Sequence, residues 1–267
     1  MLNLESFGFL EVLNNLNLPI WLVSFIFSYS LTLILSLEKA TRKGIPTKDI
    51  FNLVSIVAIS SIIGARMMHL AIIQTDINWV NVLSWGEIFY DGKLNIMGGY
   101  LGGFIAACFY LQGFDAIKRS GMSWLRFFDT FLPVLSIGMT FGYIGMFFVN
   151  INNGIITSTQ YPWLVMMGDS YVHPWALYVA VGYLLLLSIQ SIVYNMSYRF
   201  RKSGYMTVLF VLGVSSIHFI TDFWKNTDTQ EGMSIISGLT ITQVFSLGIF
   251  LITLIGLIMI KIKDSRI

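Results

Sequence analysis

Apolar runs of about twenty residues recur along the whole 267-residue chain. A helix needs about 20 such residues to cross a hydrocarbon layer about 30 Å thick. Only 11% of the residues are charged and 55% are hydrophobic, with a mean hydropathy of +0.73, whereas a soluble domain carries roughly a quarter charged residues. The pattern predicts an all-α polytopic membrane bundle with seven transmembrane helices, at about 19–37, 50–74, 94–114, 125–150, 174–195, 204–224 and 240–260. No polar stretch is long enough for a second domain, so residues 1–267 are read as a single integral-membrane domain. Residues 1–18 are mildly amphipathic, contain Glu5 and Glu11 and lack a basic start, which does not fit a cleavable signal peptide.

Lys and Arg decide orientation, because cytoplasmic loops are enriched in them. Lys39, Arg42, Lys43 and Lys48 follow the first span; Lys118, Arg119 and Arg126 follow the third. Arg199, Arg201 and Lys202 follow the fifth, and Lys261, Lys263 and Arg266 close the chain. The opposite side has only Lys93 and Lys225, with Glu5, Glu11, Asp76, Glu87, Asp91, Asp169, Asp228 and Glu231. Seven spans with alternating basic loops place the N-terminus outside and the C-terminus in the cytoplasm. The long outer loops, about 75–93 and 151–173, carry Trp79, Trp85, Tyr90, Tyr161, Trp163 and Tyr171. Such amphipathic aromatics prefer the headgroup level, and these loops are expected to lie along the outer interface.

The stretch Phe127–Asn153 is apolar enough to span a bilayer, yet it ends in Gly142, Tyr143, Gly145, Asn150, Asn152 and Asn153. With the spans oriented as above, Arg66 and His69, spaced i,i+3, fall in the outer half of the second span. Gly98 and Gly99 sit at the outer end of the third, and His218 and Asp222 in the outer half of the sixth, while His173 precedes the fifth. Intramembrane ionisable groups cost about 2.5–3.5 kcal/mol on insertion scales and usually face the bundle interior or a wet cavity. Their common depth marks an outer-leaflet site. Arg66 and Asp222 would be counter-ions if the second and sixth spans are neighbours.

Each feature also has a plainer reading. Arg66–Asp222 could be a structural ion pair, His69 an interior histidine, and Gly98-Gly99 with Gly103 a close helix contact. Asp129, with Trp124 and Arg126, could cap the fourth span. Cys108 is a lone core residue, which excludes an internal disulfide and a cysteine metal cluster. There is no Gly-x-Ser-x-Gly, His-Glu-x-x-His or Walker A loop. No metal, cofactor or nucleic-acid partner is expected. A guanidinium beside a histidine suits a phospholipid phosphate, and histidine is the natural base near neutral pH.

The chain resembles the bacterial prolipoprotein diacylglyceryl transferases, with matches in order from about Trp21 to the end. Gly64-Ala65-Arg66 is similar to the family's Gly-Gly-Arg, and Gly98-Gly99-Tyr100-Leu101-Gly102 to its His-Gly-Gly-Leu-x-Gly. Phe128-Asp129, Pro133, Gly142 and Gly145 resemble the Asp…Pro…Gly-Arg-x-Gly-Asn signature. His173-Pro174 with Leu177-Tyr178 resembles His-Pro-Ser-Gln-x-Tyr-Glu, Gly213 through Phe223 the sixth span, and Thr242-Gln243-Val244-Phe245-Ser246 the start of the last. In this comparison Met97 replaces a histidine, Tyr143 and His218 arginines, Met146 an asparagine, Trp175-Ala176 Ser-Gln, and Val179 and Asp222 glutamates.

The resemblance implies a multi-pass bacterial inner-membrane enzyme that moves diacylglyceryl from phosphatidylglycerol to the lipobox cysteine of a prelipoprotein signal peptide, releasing glycerol phosphate. The catalytic residues would be His218, Asp222, Arg66 and Tyr143, and Gly98, Gly99, Asn150, Asn153, His173 and His69 would line the lipid pocket. The alternative is a non-catalytic lipid-binding or scaffold protein on the same fold, or a subunit of a membrane complex. A transporter fits less well, since the sequence shows no inverted repeat or ring of charge.

Overall fold

A computed structural model describes residues 20–73, 94–113, 123–149, 154–167, 170–196, 204–226, 234–236 and 238–264. They divide between two compact units, Phe9–Trp124 and a C-terminal unit from Leu125 to Ile267. Among the described residues, six helices are long and apolar enough to cross a membrane, and a seventh apolar helix is shorter. Their lipid-length apolar faces leave Phe104, Phe109, Leu185 and Ile252 exposed.

The N-terminal unit holds α1 (Ile20–Arg42), α2 (Thr47–Ile73) and α3 (Ile96–Gln112). α2 and α3 run antiparallel along a seam of small residues. A Cβ at Gly98 would strike the carbonyl of Gly64 and the Met68 side chain, and one at Gly102 the carbonyl of Ser60. Without side chains at these positions the two backbones touch, the device by which membrane helices associate where lipid gives no hydrophobic drive. Asn95 caps α3, its Oδ1 accepting from the Met97 and Gly98 amides at 3.0 and 3.4 Å. The Asn95 amide donates to the Ala65 carbonyl at 3.0 Å. At the far end Tyr110 donates to the Asp49 carbonyl at 3.3 Å. Tyr29 and Ser55, 2.8 Å apart, join α1 to α2.

The C-terminal unit holds α4 (Trp124–Val149), α5 (Trp175–Met196), α6 (Tyr205–Thr221) and α7 (Ile241–Asp264). α6 packs against both α5 and α7 and continues into a 3-10 turn, Asp222–Trp224. Between α4 and α5 lies a three-stranded antiparallel sheet of β1 (Ile156–Thr157), β2 (Val165–Met167) and β3 (Ser170–Val172), ordered β1-β3-β2. A second pair, β4 (Ser234–Ile236) and β5 (Leu239–Thr240), leads into α7. The chain is thus mostly helical but not wholly so. Strands of two or three residues are too short to show the alternation by which a strand is recognised. Asn150, Asn152, Asn153, Trp79, Trp85 and Tyr90 lie outside the described residues.

Asp129 corrects the sequence reading. Instead of capping its own helix, its carboxylate reaches across to the start of α6. Oδ2 accepts from the Gly204 amide at 2.6 Å, and Oδ1 from the Thr207 amide at 2.7 Å and its hydroxyl at 2.6 Å. Gly204 holds φ +101°, which a side chain rarely adopts. Here a carboxylate from another helix performs the N-capping that a local side chain usually supplies.

Candidate functional site

The expected site residues of the second and third spans lie together in the N-terminal unit. Arg66 is 1% exposed and His69 is also buried. Their i,i+3 spacing on α2 puts both on one face, as the sequence predicted. Gly98 and Gly99 are buried at the start of α3 against the same helix, Gly99 facing Ala65 and the Ser61 carbonyl. This places the glycines in the helix seam, beside the residue that precedes Arg66.

The C-terminal unit gathers the other expected residues around α6. His218 is fully buried, and its Nε2 lies 3.1 Å from the Tyr183 hydroxyl. Tyr143 from α4 stacks on Tyr183 with ring centres 5.9 Å apart and lies the same distance from the His218 ring. Trp175 meets Tyr143 edge-on at 6.0 Å. These aromatics share one apolar cluster with Phe147, Val165, Val179, Ala180 and Leu186. Tyr183, 35 residues before His218, was invisible to the sequence reading, because nothing in its local pattern separates it from other core aromatics of α5.

One turn beyond His218, Asp222 occupies a separate polar pocket. Thr240 donates its hydroxyl to Asp222 Oδ2 at 2.7 Å. That hydroxyl also accepts from the Gln243 amide at 3.1 Å, while Gln243 Oε1 accepts from the Thr240 amide at 3.0 Å. The reciprocal pair is a capping box, and it ties the start of α7 to Asp222. Thr242, Trp175 and Lys225 also face the Asp222 carboxyl. The indole N–H stays short of full hydrogen-bond geometry. Lys225, counted from sequence among the basic residues of the outer side, is only 4% exposed, with Nζ 4.8 Å from the centre of the Trp175 ring. A cation over an indole face is favourable, by about 2 kcal/mol when desolvated.

His173 sits at the entrance to α5. Its Nδ1 is 3.0 Å from the Tyr178 hydroxyl, and its amide donates to the Ile155 carbonyl at 3.1 Å. Partial burial holds its imidazole below the usual histidine range. The Ile155 amide in turn donates to the Trp224 carbonyl at 3.0 Å, and Gly154 bridges Lys225. The small sheet therefore fixes His173 to the end of α6 that carries Asp222 and Lys225.

Long apolar helices with buried histidine, carboxylate and cationic side chains define a multi-pass membrane protein. The sequence profile of the prolipoprotein diacylglyceryl transferases matches residues 9–259, and the chain belongs to that family. The phosphatidylglycerol–prolipoprotein diacylglyceryl transferase of Acinetobacter baumannii (strain ACICU) is 25% identical over 239 residues, covering 88% of this chain and 84% of that protein. The enzyme of the same name from Finegoldia magna is 26% identical over 194 residues, 72% of each.

Proposed function

We propose that this protein transfers diacylglyceryl from phosphatidylglycerol to the lipobox cysteine of a prelipoprotein signal peptide at the outer face of the bacterial inner membrane. The observation that carries this reading is the family match over nearly the whole chain. The proposed topology has seven spans, with α3 as the third, the N-terminus outside and the C-terminus in the cytoplasm. In the transfer, the cysteine sulfur bonds to the terminal glyceryl carbon. The bond from that carbon to the phosphate oxygen breaks, and its electron pair leaves with glycerol phosphate. The thiol proton passes to His218. Arg66 is assigned to the lipid phosphate and Tyr143 to the headgroup. His69, Gly98, Gly99, Asn150, Asn153 and His173 are assigned to the lipid pocket, and Asp222 to ordering the end of α6.

A base of this kind contributes about a hundredfold or more. His218→Ala should therefore lower thioether formation from labelled phosphatidylglycerol and a lipobox peptide by about that factor, read by mass spectrometry. An unchanged rate would remove His218 from the mechanism.

A second reading is favoured by a specific observation. Tyr143, Trp175, Ala176 and Val179, four positions that the resemblance reads as departures from the family pattern, belong to one buried apolar cluster. His218, a fifth, is sealed against it. A set of substitutions that pack together is what a retired catalytic centre would accumulate, leaving a lipid-binding or scaffold protein, alone or as a subunit of a membrane complex. Purified protein that retains phosphatidylglycerol but yields no thioether would select this reading.

A further inference from the structure

Lys225 places a buried cationic side chain in the C-terminal unit. Its ammonium is buried over Trp175 and faces Asp222. Around this buried cation the surface is apolar. Ile155, Ile156, Ile220, Phe223 and Trp224 are all exposed, and the Ile155–Trp224 and Gly154–Lys225 backbone pairings hold the two segments side by side. A desolvated cation framed by exposed apolar side chains matches an anionic amphiphile, with tails on the rim and headgroup on the charge. Asp222 does not depend on the ammonium alone for its burial, because Thr240 donates to it and Thr242 and Trp175 also face it. A flexible four-carbon stem lets a lysine ammonium reach a ligand without moving the backbone.

We propose that Lys225 is a substrate-binding residue that selects an anionic phospholipid headgroup, with Trp175 and Asp222 holding its ammonium in place. The proposal rests on the phospholipid-binding part of the function above and supplies a charge that leaves His218 neutral and able to act as base.

The test compares lipid retention and transfer separately. Protein extracted from vesicles of equal phosphatidylglycerol and phosphatidylcholine is examined by native mass spectrometry. The wild type should retain phosphatidylglycerol in preference. Lys225→Gln should cut that preference roughly tenfold, the loss of one charge-assisted contact, and Lys225→Arg should keep most of it. If Lys225→Gln leaves Asp222 uncompensated and the protein fails to fold, the double variant D222N/K225Q removes both charges together. It should fold and show no headgroup preference. Undiminished preference for phosphatidylglycerol in either glutamine variant would overturn the proposal. A wild type that retains phosphatidylglycerol through Lys225 but makes no thioether keeps this assignment and removes the transferase reading. Transfer with retention indifferent to Lys225 does the reverse.

Discussion

Asp129 shows how much a single side chain can organise in this molecule. Its two oxygens take three hydrogen bonds from Gly204 and Thr207, and the amides it satisfies begin the helix that carries His218 and Asp222. Asp129's own helix, α4, passes through Pro133, which has no N–H to give to the carbonyl of residue 129, so backbone and side chain at this position both depart from ordinary helical bonding. A negative charge at a helix N-terminus also complements the helix dipole. Loss of a cap costs about 0.5–2 kcal/mol, and bonds to a charged acceptor are worth about 1.5–3 kcal/mol each. Asp129→Ala should therefore lower the free energy of unfolding in detergent by about 2 kcal/mol or more. Asp129→Asn should cost less, because one amide oxygen can still accept from one of the two amides. Unfolding of Asp129→Ala at the wild-type denaturant midpoint would show that α6 starts equally well without it.

At the scale of elements, the seam between α2 and α3 is the tightest constraint. Gly64, Gly98 and Gly102 leave no room for a methyl group, and the obstructing atoms are backbone at all three, joined at Gly98 by the Met68 Cβ. Overpacking of this kind costs about 1–3 kcal/mol, so Gly98→Ala should destabilise the protein by that amount in a detergent unfolding titration. Gly248→Ala, on an α7 surface with nothing nearby, should stabilise it slightly, since alanine exceeds glycine in helix propensity by about 1 kcal/mol. Equal effects at the two sites would show that the seam yields. Helices were the legible part of this sequence. Their apolar runs and flanking charges place α4 and α5 within a residue or two of the observed ends. α1 extends further, to Arg42, because its last turn carries Lys39 and Arg42 beyond the apolar run. The sheet at 156–172 was illegible because its strands, two or three residues long, are too short for the alternation of a strand to repeat. The site was legible as a set of types, histidine, carboxylate and arginine, but not as a set of contacts. Asp222 meets Thr240 and His218 meets Tyr183, and such long-range pairings follow from packing rather than from local pattern. The burial of Lys225 was not legible, because a loop-by-loop charge count assigns a lysine to a side of the membrane and says nothing of its packing.

For the whole molecule, orientation follows from where charge can cross a membrane. Thirteen of the sixteen basic residues would fall on one side of the proposed seven-span arrangement, and translocating basic loops is disfavoured. α3 is the span on which the arrangement depends. Its 17 residues rise about 25 Å at 1.5 Å each, at the short end of membrane helices, which run from about 17 residues. Were α3 not to cross, the segment after it, with Lys118 and Arg119, would share a side with the aromatic loop at 75–93, and every later loop would change sides. The single Cys108 makes this decidable, because Cys108→Ser gives a cysteine-free background. In that background, Ser84→Cys and Gln160→Cys should react with a membrane-impermeant maleimide on intact spheroplasts. Lys43→Cys, Ser120→Cys and Arg266→Cys should react only after permeabilisation. Labelling of Ser84→Cys and Ser120→Cys alike on intact spheroplasts would leave six crossings. It would also carry His218 and Asp222 to the opposite leaflet, away from any substrate presented at the outer face, so the proposed reaction stands or falls with that one short helix.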